Sequence, residues 1–362
     1  MRITRFLAVL TVLALFACTD DHIASPDLKA DAPPGSISVL NWNVYVGTDV
    51  DAIILALADG DPTNDMPILL AQLDTLFLTD WSARAGVIAD EIAARRPHAV
   101  GLQEISSFDL SAAGLPPLEF LPVLEAALAQ RGLNYVVADK VLNIEAEPIP
   151  GLKLEDYDVM LVDADRVTVL GTLAKRFEAN LVDVIGPVGG IELRRGYVVA
   201  TVAVDDETYT IVSAHPEPNL FTYDLSELRA GQATEIVTVL GQMGADRAIV
   251  MGDLNDHPGS LLHQVFAAAG FEDVWAELRP GAAGYTCCHA ASLSNPVSTL
   301  VKRIDYVLAR GIGHPVDGLQ GRIDILGEVP ADRVAGPAYR LWPSDHAGLA
   351  AQFLTVPAIG LR

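Results

Sequence analysis

After Gly35 the sequence alternates short apolar runs with amphipathic stretches, and the apolar runs repeatedly stop on an acid, an amide or an imidazole. Ile37 to Val46 carries apolar residues on both faces, as a strand covered on both sides does. Trp81 to Arg96 reads as a helix with Ser82 as N-cap and Pro97 closing it, and Leu118 to Gln130 as a second ended by Gly132. Ala99 to Glu104 and Tyr157 to Val162 read as strands, and Tyr197 to Val204 with Thr208 to His215 as two strands turning at Asp205-Asp206-Glu207. A helix from about Leu225 to Gly241, a strand from Ala248 to Gly252, a helix from Leu261 to Ala269 and strands at Arg303 to Leu308 and Ala347 to Leu354 complete the pattern. Hairpins mixed with crossover helices predict an α/β (α+β) fold, a four-layer sandwich of two packed mixed β-sheets flanked by helices. With no fixed-period repeat and no Pro/Gly-rich linker after residue 36, residues 36–356 are expected to form one domain.

The N-terminal segment has a different character. Met1 to Ala17 carries Arg2 and Arg5, then the apolar run Phe6 to Phe16, and leads into Leu15-Phe16-Ala17-Cys18, which reads as an export signal. It is similar to a bacterial lipoprotein leader, in which Cys18 would become the lipidated first residue of the mature chain. Residues 18–35, polar, acidic and proline-containing, are expected to be a flexible tether. The expected location is therefore outside the cytoplasm, on a bacterial membrane through a lipid anchor.

The formal charge is −23, and removing Arg2 and Arg5 with the leader takes it two further, to −25. Proteins that grip nucleic acid draw affinity from phosphate neutralisation by basic surfaces, and the longest basic runs here are pairs such as Arg95-Arg96 and Arg194-Arg195. Stable DNA binding is disfavoured, and a monomer is expected. Beyond Cys18, the vicinal pair Cys287-Cys288 lacks the C-x-x-C spacing of a metal site. A vicinal disulfide, an intermolecular pairing and reduced thiols all remain open.

The polar residues at the ends of apolar runs carry the chemistry. Asn43 lies within the first strand, Glu104 ends V-G-L-Q-E, and His215 ends I-V-S-A-H. Asp253 and Asn255 close I-V-M-G-D-L-N-D, Asp305 sits in R-I-D-Y-V-L, and Asp345-His346 open the last strand in P-S-D-H-A. Strand ends are where open α/β sheets place reacting groups. Buried carboxylates are costly unless paired or metal-bound, so this acidic set around two histidines predicts a cation. Asn43, Glu104, Asp253, Asn255 and Asp345 are oxygen donors, which favours Mg²⁺ over Mn²⁺ or Ca²⁺ and disfavours zinc.

In their order, the blocks L-N-W-N-V, G-L-Q-E-I, S-A-H-P-E, M-G-D-L-N-D, R-I-D-Y-V-L and P-S-D-H-A resemble the endonuclease/exonuclease/phosphatase superfamily of DNase I-like proteins. The resemblance implies the DNase I-like fold and a metal-dependent phosphoester hydrolase. It implies Glu104 as principal metal ligand with Asn43 beside it, and Asp345 on the metal or the attacked group. Asp253 and Asn255 would hold the phosphate or a second metal, His346 oriented by Asp305 would activate water, and His215 would assist the phosphate oxygens or leaving group. Arg229, Gln232 and Arg84 are expected to brace structure. Tyr45, two residues after Asn43, replaces the acidic residue common in the apurinic-site repair branch, and S-A-H-P-E-P-N lacks the longer His-containing signature of inositol phosphatases. The expected partner is a phosphoester substrate, lipid- or nucleotide-derived. The alternatives are a secreted endonuclease acting on DNA or RNA, and a non-catalytic module that binds a phosphorylated ligand. Substrate choice is expected to lie in loops between Ala112 and Leu154 and between Gly281 and Val301.

Overall fold

The computed structural model describes residues 35–185, 191–220, 223–313 and 318–354. The leader, Cys18 and almost all of the expected tether lie outside the described residues. Among the described residues no helix is long and apolar enough to cross a membrane.

β1 (Ser36–Asn43) is followed by three helices, α1 (Val50–Asp59), α2 (Pro62–Leu78) and α3 (Trp81–Arg95). β2 (Ala99–Asp109) and the short β3 (Leu118–Glu119) lead to α4 (Phe120–Gln130) and to two long strands, β4 (Tyr135–Ile149) and β5 (Leu152–Asp163). β6 (Thr168–Arg176), α5 (Leu181–Ile185) and β7 (Glu192–Leu193) precede the hairpin of β8 (Gly196–Val204) and β9 (Glu207–His215). Then come α6 (Ser226–Gln242), β10 (Ala248–Asp253), α7 (Leu261–Ala268), β11 (Glu272–Asp273) and α8 (Val274–Leu278). β12 (Asp305–Arg310), β13 (Gly321–Leu326), the two-residue β14 (Val334–Ala335) and β15 (Arg340–Leu341), and β16 (Gly348–Leu354) finish the chain.

One sheet has the order β13-β16-β1-β2-β5-β4-β7, with β3 pairing on β2, and the other β11-β12-β10-β9-β8-β6. Each contains one parallel pair made by a helical crossover, β1 with β2 and β9 with β10, among antiparallel neighbours. Side-chain alternation then separates two layers on every strand. On β1, Ile37 and Val39 face the opposite sheet while Leu40 and Trp42 face the helices. On β10, Ile249 and Met251 face the partner sheet, and Ala248 and Val250 pack under α6 and α7. Two sheets with helices outside make the four layers that the sequence predicts. Between them the approach is close: a Cβ on Gly101 would lie 2.7 Å from Ser213 Oγ.

Several local readings are corrected. Asp80 caps α3, accepting from the Ala83 amide, and Ser82 lies inside the first turn. Leu118 and Glu119 pair with β2, so the helix starts at Phe120. The stretch between Gln130 and Leu154, expected to be loop, is mostly the long β4 and its hairpin with β5. The sequence pattern also left α1 and α2 unassigned. Both carry clear end signals: Asp49 caps α1 and Gly60 ends it at a φ of 77°, while Asp61 caps α2 ahead of Pro62.

Candidate active site

Where the two sheets diverge, the inward-facing positions change from apolar to polar. The parity that points Ile37 and Val39 inward continues to Asn43, and that of Ile249 and Met251 continues to Asp253. On β9, Ile211 leads by the same alternation to His215, and on β12 Val307 and Ala309 lead back to Asp305. Glu104 has the opposite parity. A bulge in β2, where the register with β5 shifts between Leu102 and Ile105, puts Glu104 at a φ of 61° and turns its carboxylate into the same space.

Six of the sequence-predicted residues, Glu104, His215, Asp253, Asn255, Asp345 and His346, line one cleft of about 440 Å³, and Asn43 and Asp305 sit behind its wall, bonded to lining residues. Asn43 ties two of the acids together. Its Nδ2 donates to Glu104 Oε1 at 2.9 Å and to Asp253 Oδ2 at 3.1 Å, and its Oδ1 accepts from the Tyr45 amide. Glu104 Oε2 accepts from the Val46 amide at 2.8 Å. Asn255, at a φ of 52°, donates from its backbone to Asp253 Oδ1 and from Nδ2 to the Pro216 carbonyl.

Two imidazoles approach the same oxygen of Asp253, His215 Nε2 at 3.7 Å and His346 Nε2 at 3.8 Å from Oδ2. Each is held through its other nitrogen by a buried carboxylate. His346 Nδ1 is 2.9 Å from Asp305 Oδ2, and His215 Nδ1 is 3.2 Å from Asp158 Oδ1. Burial disfavours a charged His346, but Asp305, Asp253 and Asp345 outweigh it and hold its pKa well above the usual histidine range. His215 is raised as well, Asp158 and Asp253 prevailing over burial and the guanidinium of Arg195.

Three residues of this cluster escaped the sequence reading, the buried Asp156 and Asp158 and the half-buried Arg195. Asp156 and Asp158 share the inward parity of Met160 and Val162 on β5. Arg195 closes the same side, with Nη1 against the His215 ring at 3.1 Å and Nε 3.9 Å from Glu217. Burial, then Glu104 and Asp158, push the Asp156 carboxyl up to about 7. Asp345 is pushed up to about 7 by burial and by Glu104 and Asp253, against the opposing pull of His346 and Arg84.

The loops that present these groups are fixed from behind. Arg84, fully buried on α3, donates to the carbonyls of Thr79, Val44, Tyr45 and Pro343. It thereby joins the segment after Asn43 to the segment before Asp345. Arg229 pairs with Asp256 at 2.9 Å, and Gln232 spans the Glu217 amide and the Ala179 carbonyl, so both brace structure as expected. Cys287 and Cys288 are joined as a disulfide on the cleft wall, and His289 stacks on Trp342 with ring centroids 4.0 Å apart.

The donor set fits a hard divalent cation. Asp156 Oδ2, Asp158 Oδ2 and Asp305 Oδ1 are buried without a hydrogen-bond partner, and Asp253, Asp305 and His346 offer ligand atoms within 4.8 Å of one another, a trio distinct from the expected ligands Glu104, Asn43 and Asp345. Carboxylates crowded this closely raise one another's pKa unless a cation neutralises them.

Similar architectures occur among solved structures. A Bacteroides thetaiotaomicron endonuclease/exonuclease/phosphatase family protein superposes with a TM-score of 0.56 at 15% identity, covering 90% of this chain and 99% of that one. D. rerio TDP2 complexed with single-strand DNA product gives 0.54 at 17% identity over 88% and 99%. The mannosyl-6-phosphatase of Bacteroides thetaiotaomicron VPI-5482 gives 0.53 at 15% identity over 88% and 99%. No curated protein matches the chain significantly. At these identities the likeness is one of fold. The sequence itself goes further: over residues 40–346 it matches one family throughout, and the chain belongs to the Endonuclease/Exonuclease/phosphatase family of phosphoester hydrolases.

Proposed function

We propose that the cleft hydrolyses a phosphoester with water activated by His346 and with a divalent cation, Mg²⁺ or in its place Mn²⁺ or Ca²⁺, held by Glu104 and Asp345 with Asn43 beside them. The observation that carries this reading is the convergence of those carboxylates with two imidazoles, each oriented by its own buried acid. When bound, the cation supplies charge neutralisation on the phosphoryl oxygens.

His346 takes the proton of the attacking water on Nε2, because Nδ1 is engaged with Asp305, and Asp305 stabilises the imidazolium that forms. Beside Asp253, His215 presents its Nε2 to the phosphate or the leaving oxygen, oriented by Asp158 in the same way. Asn43 holds Glu104 and Asp253 at fixed separation, and Asp253 with Asn255 lines the phosphate side. Arg195, half-buried among acids and cationic, adds a fixed positive charge beside His215.

Turnover of bis(p-nitrophenyl) phosphate by the purified domain, its loss in EDTA, and its loss in Glu104→Gln and His346→Ala test the reading. Full activity in either variant, or in EDTA, overturns it. A plasmid-nicking assay with Mg²⁺ decides the nuclease alternative, which the acidity of both chain and cleft disfavours. Phosphorylated-ligand binding without turnover would instead identify a binding module. We also propose that the chain is exported and lipidated at Cys18; mass spectrometry of the membrane-extracted N-terminal peptide detects or refutes the diacylglyceryl adduct.

A further inference from the structure

The joined pair Cys287-Cys288 lines the catalytic cleft, Cys287 buried and Cys288 half-buried, and no step of the proposed hydrolysis uses it. Backbone contacts fix its place from two sides. Cys287 bridges to Lys302, ahead of β12, and to His346, ahead of β16. The Lys302 carbonyl accepts from the Thr286 and Cys287 amides at 2.7 and 3.0 Å, and the Thr286 carbonyl accepts from the Ala347 amide at 2.8 Å. On the far side of the pair the His289 amide donates to the Asp345 carbonyl at 2.8 Å. The residues before and after the two cysteines are therefore clamped to the segment that carries His346.

Spacing along the chain offers the pair no third ligand, but the fold does. Both sulfurs and a ring nitrogen of His346 lie within 4.8 Å of one another. Asp305 holds Nδ1 of that ring at 2.9 Å, the carboxylate–imidazole arrangement that orients a metal-binding histidine and leaves Nε2 as its donor. Two thiolates and one imidazole are a soft to borderline donor set. They select Zn²⁺ over Mg²⁺ and leave a fourth tetrahedral position to water. Glu104, Asn43 and Asp345 offer only oxygen and have the opposite preference.

We propose that Cys287, Cys288 and His346 form a second, thiophilic cation site, which takes Zn²⁺ when the pair is reduced and is abolished when the disulfide closes. Opening the site requires a dithiol reductant. Two electrons and two protons pass to the pair, its S–S bond breaks into two thiols, and the reductant closes its own disulfide. Zn²⁺ then binds both sulfurs as thiolates and releases their two protons. With Zn²⁺ on Nε2, His346 has no lone pair for the proton of water, so the occupied site is inhibitory. The inhibition rests on the phosphoesterase reading above, whereas the site itself does not.

The test reads the site first without turnover. Protein reduced anaerobically by a phosphine, which becomes the phosphine oxide with oxygen from water, is titrated with Co²⁺ in millimolar Mg²⁺. The visible absorption of tetrahedral Co²⁺ and a near-ultraviolet thiolate band are expected to saturate at one ion per chain and to be displaced by Zn²⁺. Unreduced protein should show neither. His346→Ala and Cys288→Ser should each weaken Zn²⁺ binding by the reduced protein at least about tenfold. No band in the reduced protein, an equal band in the unreduced protein, or undiminished affinity in His346→Ala overturns the proposal. With bis(p-nitrophenyl) phosphate and saturating Mg²⁺, micromolar Zn²⁺ should slow the reduced protein at least about tenfold and the unreduced protein less than about twofold. Cys288→Ser should keep the basal rate and lose most of the Zn²⁺ sensitivity. Equal inhibition of all three forms would put the ion among the carboxylates and overturn the proposal. A thiolate band in a protein that turns over no phosphoester keeps the site and sinks the phosphoesterase reading.

Discussion

Asp305 Oδ2 lies 2.9 Å from His346 Nδ1, and both side chains are buried, His346 on the wall of the cleft and Asp305 behind it. The contact fixes the imidazole with Nε2 toward Asp253 and raises its proton affinity. Asp305→Asn preserves shape and much of the hydrogen bonding while removing the charge. We predict a fall in kcat of about 10²- to 10⁴-fold with little change in thermal unfolding. The acid limb of the pH–rate profile should move to lower pH, because the lost carboxylate no longer raises His346. An unchanged acid limb with full kcat would show that His346 is not the base.

The second imidazole repeats the device. Asp158 accepts from His215 at 3.2 Å, both side chains almost fully buried. Asp158→Asn is expected to lower kcat about 10- to 100-fold and leave KM within about threefold. If the two act as a unit, Asp158→Asn should cost little more in a His215→Ala background, which a double-mutant cycle measures directly. Additive losses would show that Asp158 acts elsewhere.

Asp158 also shows where sequence reasoning reached its limit. Asn43, His215, Asp253 and Asp305 were legible because each is a polar residue within or at the end of an apolar run, and the structure shows all four with inward parity where the sheets open. Asp156 and Asp158 lie in the middle of β5, which extends past the site to pair with β4, so a search confined to strand ends passes over them. Period-two continuation back from Met160 and Val162 was the available signal. Arg195 read only as half of a basic pair, and the fold sets it, half-buried, beside His215 and Glu217. Glu104 was found from its block, but its inward aim depends on a bulge that alternation does not show. α1 and α2 were unread because α1 is apolar on several faces and α2 contains Pro67, which blurs the helical period despite good caps.

Arg84 should separate architecture from chemistry. Its guanidinium contacts four backbone carbonyls and does not line the cleft. Arg84→Met leaves those carbonyls unpaired in a buried site, with an expected loss of about 3 kcal/mol or more of stability. Because Arg84 joins the Asn43 and Asp345 segments, kcat should fall as well, and Arg84→Lys should recover part of the stability but less of the rate. A variant with unchanged unfolding temperature and reduced kcat would point instead to direct contact with substrate.

The cation should make itself visible in folding stability before any substrate is added. Burial and neighbouring acids push Asp345 and Asp156 up to about 7. In the unfolded chain such groups lose their protons near pH 4, so between about pH 4 and 7 the metal-free native state binds more protons than the unfolded state. These two groups therefore make stability fall as pH rises through that window. A divalent cation bound by the ionised carboxylates offsets their repulsion and competes with the protons. Millimolar Mg²⁺ is thus expected to raise Tm substantially at pH 8, little at pH 5, and little at either pH in Glu104→Gln. Differential scanning fluorimetry across that range is the check. An equal Mg²⁺ effect at pH 5 and pH 8, or one that survives Glu104→Gln in full, would place the cation away from this cluster.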